Sequence, residues 1–308
     1  MRQYNLTKQQ AQWLQNFQWP SLNIKYGPDL LTRMRQHGFY VFPTHEEEWH
    51  HNKKKLIECN QSYPIVKINA IARGIHSKQC PPEKANGLLP VLYLCKTAKV
   101  MLTANLCVPF GLYNGSIGTV VDILFSSGQS TSETLPDVVM VHFPGYTGPP
   151  FTENDPKIIP IVPLDIGLDC SCHHCRRQQL PLRLGWASTI HKCQGLTVGE
   201  GETNRYIVIS PGSTAFESRN PGALFVALSR AKSAGNTSKD PDFAWNEKVI
   251  VNEDRLCHVV KTPTTAARHK EIVRIQSLDI KTREEYKVLQ NNLKYIQLVS
   301  NISLHSQL

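Results

Sequence analysis

The sequence has no run that approaches the roughly 20 consecutive apolar residues needed to cross a bilayer. Its start, MRQYNLTKQQAQWLQ, has no apolar stretch behind a basic region. We therefore expect neither a transmembrane helix nor a secretory signal peptide. The nine cysteines are an odd number and most stand singly, which is not the pattern of a disulfide framework. These absences favour a soluble protein of a reducing, intracellular compartment.

A phosphate-binding loop of the form GxxxxGK[ST] is also missing, because none of the 18 glycines is followed by lysine. In nucleotide hydrolases this loop supplies the backbone N–H groups and the lysine that hold the β- and γ-phosphates. We therefore do not expect these 308 residues alone to hydrolyse ATP at a useful rate.

The composition is that of a globular protein, with 41% hydrophobic and 19% charged residues. A chain of 308 residues predicts two or three compact units. The 34 Lys and Arg residues exceed the 25 Asp and Glu residues, which gives a net charge of +9. Such a charge favours a polyanionic partner, although charge alone leaves a basic surface without a ligand equally open.

The first part of the chain has an α/β pattern. Apolar residues at helical spacing predict a short helix over 7–17 and a second helix through Pro28–Gln36. The apolar segment Gly38–Pro43 predicts a buried strand. Thr44 leads from it into the charged run EEEWHHNKKKLIECN, whose spacing predicts a helix with a solvated charged face.

From about Leu89 to Leu164 the pattern changes to short apolar runs separated by turn residues. Asn114-Gly115 suits a tight turn that requires positive φ. Five such runs predict a small antiparallel barrel or sandwich. Residues 126–136 are the expected flexible insertion.

An α/β pattern returns after Leu180. Leu182–Ile190 fits a strand or a helix equally by period, whereas Tyr206–Ser210 predicts a strand and Pro221–Ala231 a helix. The tail from about Lys261 has helical spacing and no chemical motif. We therefore predict the α/β class, with a small antiparallel β-barrel inserted in one α/β domain.

Two short segments contain candidate chemical groups. In TIHKCQG, which ends at Gly195, the Gln-Gly pair fits a plain turn or a backbone that approaches a phosphate. In FVALSRAK, Arg230 fits a surface charge or an arginine finger, a cation that stabilises the charge on a transferring phosphoryl group.

Together and in this order, the two segments resemble motifs V and VI of superfamily-one helicases. The branch is the Pif/RecD-like one, which includes helicases of Helitron transposons. VMLTANLCVPFGLYNGSIGTVVDI resembles the entry to that branch's inserted barrel, FYVFPTHEEEWHHNKKKL resembles motif IV, and LTKQQAQWLQ resembles the helix that joins its RecA-like domains. The resemblance covers roughly residues 5–260.

The resemblance implies a domain plan for the C-terminal half of such a helicase. The parts are a helical connector from a first RecA-like domain (1–37), a second RecA-like domain with a parallel sheet and flanking helices (38–88 and 166–260), an inserted barrel (89–165) and a helical tail (261–308). The phosphate-binding loop and the Mg²⁺-binding carboxylate would lie on the first RecA-like domain, upstream of Met1.

The resemblance also implies roles for individual residues. The implied arginine finger is Arg230, the residues at the nucleotide are Gln194, Gly195 and Ser229, and the residues on the DNA-strand side are Thr189, His191, Lys192 and, at motif IV, Thr44. The implied cofactors are ATP and Mg²⁺. The implied partners are single-stranded DNA and a first RecA-like domain in cis or in trans.

The expected function is therefore the C-terminal portion of a 5′→3′ ATP-dependent DNA helicase of DNA repair and recombination. The resemblance implies residence in the nucleus. The alternative is a non-catalytic, single-stranded nucleic-acid-binding remnant of a transposon-derived helicase.

The segment CSCHHC places five soft ligands in six residues just before motif V. Structural zinc requires four tetrahedral ligands, usually from two separate pairs. The sequence shows no second pair nearby, so we expect reduced surface cysteines and no bound metal. Zinc is the alternative, and its candidate ligands would be Cys170, Cys172, His174 and Cys175.

Overall fold

In the computed structural model of the chain, the residues described are 9, 12, 16–75, 77–126, 134–169, 174–194, 196, 206–210, 212, 216, 219–220, 222–231, 249–251, 270–271, 273–288 and 290. The chain forms two compact units, one of Met1–Arg2 and Leu6–Val260 and one of Gln3–Asn5 and Lys261–Leu308. The described residues of the second unit are helical and exposed. In the described part of the chain, no helix combines the length and apolarity that a membrane span requires.

The helices are α1 (Trp19–Tyr26), α2 (Pro28–His37), α3 (His45–Cys59) and α4 (Ala223–Leu228). The strands are β1 (Phe39–Phe42), β2 (Val66–Asn69), β3 (Ile71–Arg73), β4 (Val91–Leu94), β5 (Lys99–Leu102), β6 (Ile117–Leu124), β7 (Val138–His142), β8 (Ile158–Ile161), β9 (Leu164–Gly167), β10 (Arg176–Gln179), β11 (Leu182–Leu184), β12 (Ala187–Thr189), β13 (Ile207–Ile209) and β14 (Val249–Val251). Short 3-10 helices span Pro82–Ala85, Val108–Phe110 and His191–Cys193.

A four-stranded parallel sheet has the order β12-β1-β13-β14. On one face, Val41 and Ile209 pack with Leu224 of α4. On the other face, Val208 packs with Leu22 of α1 and Leu31 of α2. Helices thus cover both faces, as parallel sheets require. The strands predicted within Gly38–Pro43 and Tyr206–Ser210 and the helix predicted within Pro28–Gln36 are confirmed, whereas the helix predicted over 7–17 lies mostly outside the described residues.

The antiparallel part contains a five-stranded sheet of order β11-β5-β6-β7-β8, a three-stranded sheet β3-β10-β9 and the pair β2-β4. The predicted barrel is not confirmed, since β11 and β8 remain the two edges of the five-stranded sheet and the pairings among described residues do not close it. The antiparallel strands also begin earlier than the sequence indicated, at Val66, and continue to Leu184.

The ambiguous segment Leu182–Ile190 contains two three-residue strands on different sheets, β11 on the antiparallel sheet and β12 on the parallel sheet. Between them, the Gly185 amide donates to the Lys99 carbonyl at 2.8 Å, and the Trp186 carbonyl accepts from the Tyr40 amide at 3.0 Å. A Cβ on Gly185 would lie 2.6 Å from the Val100 carbonyl carbon. Glycine therefore allows the chain to pass directly from one sheet to the other.

The predicted turn at Asn114-Gly115 is confirmed, with φ of 102° at Gly115. The Asn114 amide donates to Asn105 Oδ1 at 2.8 Å. A Cβ on Gly115 would collide with the side chain of Leu196. The turn between β5 and β6 therefore lies against the segment that follows β12.

Candidate functional site

The short helix α4 presents Arg230 just beyond its C-terminal end. Its apolar residues Leu224 and Ala227 are buried against the parallel sheet. The half-buried Arg230 guanidinium donates from Nη2 to Ser229 Oγ at 2.8 Å and from Nε to the Val226 carbonyl at 3.2 Å. The Ser229 hydroxyl donates to the same carbonyl at 2.8 Å. A cation at this end of a helix is also favoured by the helix dipole.

A tight turn follows β12 and carries the other predicted residues. Thr189 is 2% exposed, and its Oγ1 accepts from the Lys192 amide at 3.4 Å. The Ile190 amide donates to the Phe42 carbonyl at 2.9 Å, and Cys193 is buried in the core. These contacts fix the turn, while His191, Lys192 and Gln194 are exposed.

Arg230 and this turn are neighbours, because Arg230 Nη1 donates to the Leu196 carbonyl at 3.5 Å. The structure therefore brings Arg230 and Ser229 to the segment that contains Gln194. Gly195, the remaining predicted residue of this group, lies outside the described residues.

Thr44, predicted at motif IV, is the N-cap of α3. Its Oγ1 accepts from the Glu47 amide at 3.3 Å and donates to Glu47 Oε2 at 2.7 Å. Thr44 therefore caps the helix through its hydroxyl oxygen and also holds the Glu47 carboxylate. The side chain is exposed, so the cap leaves one side of Thr44 open to solvent.

A cleft of about 660 Å³ lies beside the turn. It is lined by His191, Lys192 and Gln194 from the turn and by His45 and Trp49 from α3. The structure therefore brings residues from the segments that resemble motifs IV and V into one cavity. Lining residues that sequence reasoning missed are Glu48, Trp49, Glu83, Tyr93, Asn114 and Arg183.

Two aromatic side chains form one wall of the cleft. The rings of Trp49 and Tyr93 have centroids 6.2 Å apart and an interplanar angle of 45°. Trp49 is 45% exposed. Trp49 stands in the segment that resembles motif IV, so the sequence alone could have indicated it as a strand-binding residue. Its pairing with Tyr93 is visible only in the tertiary structure.

A buried ion pair underlies the same cleft. Arg183 of β11 pairs with Glu48 of α3, and Glu48 Oε2 lies 3.1 Å from His45 Nδ1. Burial lowers the pKa of Arg183 to about 10, so Arg183 stays charged near neutral pH. Burial, followed by the positive charge of Lys192, also lowers the pKa of His45.

Lys192 lies at the mouth of the cleft, with its Nζ 3.9 Å from Glu83 Oε1. Burial and the nearby Arg183 charge lower the pKa of Lys192, and Glu83 opposes this shift. The cleft thus combines ion-paired Arg183 and Lys192 with the aromatic surface of Trp49 and Tyr93.

The cysteine cluster before β10 is only partly described. Cys175 is buried, at 1% exposure, and His174 is exposed, whereas Cys170 and Cys172 lie outside the described residues. The expectation of surface cysteines is therefore wrong for Cys175, because it lies directly before β10 in a small buried cluster with Leu88 and Leu168. Among the described residues, no group of three or more His, Cys, Asp or Glu side chains could hold a metal ion.

No protein-family model matches the chain. Among solved structures, the Pif1 helicase from Candida albicans has a TM-score of 0.56 at 20% identity, covering 89% of this chain and 55% of that one. The Bacteroides Pif1 helicase in complex with ADP-AlF3 and ssDNA has a TM-score of 0.52 at 20% identity, covering 90% and 52%. The fold is therefore that of an α/β helicase domain.

The similar sequences are Pif1 helicases. The ATP-dependent DNA helicase PIF1 of Danio rerio is 36% identical over 204 residues, which are 66% of this chain and 26% of that protein. The Rattus norvegicus PIF1 is 33% identical over 185 residues, 59% of this chain and 24% of that protein. The chain is similar to the Pif1-like superfamily I helicases, as its motifs indicated. It spans about a quarter of the length of these relatives.

Proposed function

We propose that the chain is the C-terminal portion of an ATP-dependent DNA helicase, in which Arg230 is the arginine finger and the cleft beside the turn holds single-stranded DNA. The observation that carries the proposal is the placement of the Arg230 guanidinium, held by Ser229 and the Val226 carbonyl next to the turn that contains Gln194. Arg230, Ser229 and Gln194 would act at the nucleotide phosphates, together with Gly195.

The chemistry of Arg230 suits this role. An arginine finger must be held in position before reaction and must keep its charge for the transferring phosphoryl group. Among the described residues, the hydrogen-bond partners of Arg230 are a hydroxyl and backbone carbonyls, all of them neutral. Within the described residues, the guanidinium is thus oriented by neutral groups and not by a carboxylate.

The cleft supports strand binding through two kinds of group. Lys192 and His191 offer contacts to phosphate, and Trp49 offers a ring on which a base can stack. The buried Thr189 would act by fixing the turn, while the exposed Thr44 at the start of α3 would contact the strand. The Bacteroides Pif1 structure described with ADP-AlF3 and ssDNA supports both ligands for this fold.

The nucleotide site would need groups that these 308 residues do not contain, since no glycine is followed by lysine. A first RecA-like domain, in cis or in trans, would provide the phosphate-binding loop and the Mg²⁺ site. The family supports ATP and Mg²⁺ as cofactors, and it favours 5′→3′ movement and a place in DNA repair and recombination in the nucleus.

The alternative function is single-strand binding without catalysis. It is favoured by the net charge of +9 and by the missing phosphate loop. On this alternative the cleft would bind DNA in the same way, and Arg230 would have no reaction to assist.

The test is DNA-stimulated ATP turnover of the chain combined with a first RecA-like domain that contains GxxxxGK[ST]. We expect Arg230→Ala to lower kcat by a factor of about 10³ or more and to leave single-strand affinity within about twofold of the parent protein. Arg73→Ala, an exposed arginine on β3, is the matched control. Near-parental turnover by Arg230→Ala would reject the finger, and no turnover in any two-domain form would favour the binding-only alternative.

A further inference from the structure

The charges that line the cleft beside the turn balance each other. Apart from histidines, the charged side chains among its described lining residues are two cations and two carboxylates, Arg183, Lys192, Glu48 and Glu83. Arg183 pairs with Glu48, and Lys192 Nζ lies 3.9 Å from Glu83 Oε1. Because a nucleic-acid strand is attracted mainly through its phosphates, a strand in the cleft gains from any further cation at its edge.

The helix α3 carries one such cation next to the aromatic wall of the cleft. Lys53 follows Trp49 by four residues, so the two side chains lie on the same face of the helix, with their Cβ atoms about 5–6 Å apart. Trp49 lines the cleft, whereas Lys53 is exposed. Within the described part of the chain, Lys53 forms no ion pair. Its ammonium group is therefore available to a phosphate that lies just beyond the Trp49 ring.

The strand β2 carries a second lysine next to the same wall. Lys67 lies opposite Tyr93 of β4 in the antiparallel register, and the Cβ atoms of such partners are about 4.5–5.5 Å apart on one face of the sheet. The adjacent partners Ile68 and Leu92 are buried, so Lys67 and Tyr93 point away from the core. Lys67 is exposed and forms no ion pair with any described residue.

We propose that Lys53 and Lys67 form a basic rim that continues the strand-binding site out of the cleft. This inference rests on the proposed binding of single-stranded DNA in the cleft. The rim adjoins the rings of Trp49 and Tyr93, whose centroids are 6.2 Å apart, so a strand with a base stacked on Trp49 passes the two lysines with its next phosphates. Cations beside aromatic faces hold a single strand without reading its sequence. The ligand of the rim is therefore the sugar-phosphate backbone.

The rim has two measurable consequences for strand binding. A lysine that neutralises a phosphate releases counterions, and it adds about 0.7 to the steepness with which the logarithm of single-strand affinity falls with the logarithm of salt concentration. Both lysines together therefore add about 1.4. They add it only for strands long enough to reach from the cleft to the rim, so the effect of the rim depends on the length of the oligonucleotide.

The experiment measures the affinity of the chain for oligothymidylates of about 4 to about 16 nucleotides, the range of site sizes of small strand-binding domains. The rim variant is Lys53→Ala/Lys67→Ala. The matched control is Lys78→Ala/Lys157→Ala, which removes the same charge at exposed positions outside the cleft lining. At about 50 mM salt, we expect the rim variant to bind the longest oligonucleotide at least about tenfold more weakly than the parent chain and the shortest within about twofold. Its salt slope for the longest oligonucleotide should be shallower by about 1.4, and the control should keep the parental slope.

A charge-preserving variant separates the charge of the rim from its structure. Lys53→Arg/Lys67→Arg keeps both cations and should bind like the parent chain at every length. Equal losses in the rim and control variants, or a loss in the rim variant that is the same at every length, would overturn the proposal. Parental affinity of the rim variant would reject the rim and leave the cleft as the strand-binding site, whereas a parent chain that binds no oligonucleotide would reject both. Because these affinities are read without ATP, the Arg230 assignment is tested separately.

Discussion

The side-chain amide of Asn52 pairs with both backbone groups of Ala187. Asn52 Nδ2 donates to the Ala187 carbonyl at 3.2 Å, and the Ala187 amide donates to Asn52 Oδ1 at 3.0 Å. Asn52 lies on α3 and is 3% exposed, while Ala187 begins β12, the outer strand of the parallel sheet. The amide therefore takes the place of a neighbouring strand at this edge.

We expect Asn52→Ala to lower the free energy of unfolding by about 2 kcal/mol or more, because it leaves a buried N–H and a buried carbonyl without partners. Urea unfolding followed by circular dichroism would measure the loss. Asn23→Ala, at an exposed position of α1, should change stability by less than about 0.5 kcal/mol. Equal effects of the two substitutions would show that the pairing contributes nothing specific.

We expect Ser229→Ala to lower kcat of a two-domain form by about tenfold and to leave the KM for ATP nearly unchanged. The hydroxyl orients the Arg230 guanidinium at 2.8 Å, and the net value of one such hydrogen bond is about 1–1.5 kcal/mol. Steady-state ATPase assays would separate the two constants, with Ser62→Ala at an exposed position as control. A change in KM alone would assign Ser229 to nucleotide binding rather than to positioning.

We expect Trp49→Ala to weaken single-strand binding by about 1–3 kcal/mol, the value of one base stacked on an aromatic ring. Trp49→Phe should recover part of the loss, because it restores an aromatic face beside Tyr93. Fluorescence anisotropy with a labelled oligonucleotide would report the affinities. Phe151→Ala removes another exposed ring, at 65% exposure, and should bind like the parent chain if the cleft is the binding site.

The pKa of His51 gives a prediction for acid stability. Burial, with the charge of Lys55 next, lowers this pKa to about 4, whereas an unfolded histidine titrates at about 6.5. Between these values the unfolded state binds the proton and the folded state does not, so stability falls as the pH is lowered from about 6.5 to about 4.

Replacing the ring by phenylalanine should remove that part of the pH dependence. His51 packs against Tyr40 with ring centroids 4.0 Å apart, so His51→Phe keeps the contact and loses the titration. Unfolding free energies at a series of pH values would give the slopes. His50→Phe, on the exposed side of α3, is the control, and identical slopes for His51→Phe and the parent chain would contradict the assignment.

The sequence alone was sufficient to predict the features that depend on residues close together in the chain. The strand at 38–43 is apolar, the Gly115 turn follows from a local backbone requirement, and the motifs that identify the family are contiguous. It was insufficient where distant segments decide the outcome. The secondary structure of Leu182–Ile190 could not be decided from the sequence, because its two strands belong to different sheets. The predicted barrel was not confirmed, because the number of strands does not determine whether the edges of a sheet meet.

For the same reason, only some residues of the candidate site could be predicted from the sequence. The sequence motifs predicted Arg230, Ser229 and the turn residues. The structure shows that they are neighbours, because Arg230 contacts Leu196 beside the turn. Arg183 and Glu48 were missed because a buried ion pair between residues 135 positions apart leaves no local pattern.

The passage of the chain through Gly185 has a mechanical consequence. A single extended segment is built into both sheets, with hydrogen bonds on either side of the glycine and the motif V turn only a few residues further on. In the proposed helicase, a displacement of the turn during ATP turnover would be transmitted through Gly185 to β5 and β11, so the proposed strand-binding cleft would move together with the proposed phosphate site.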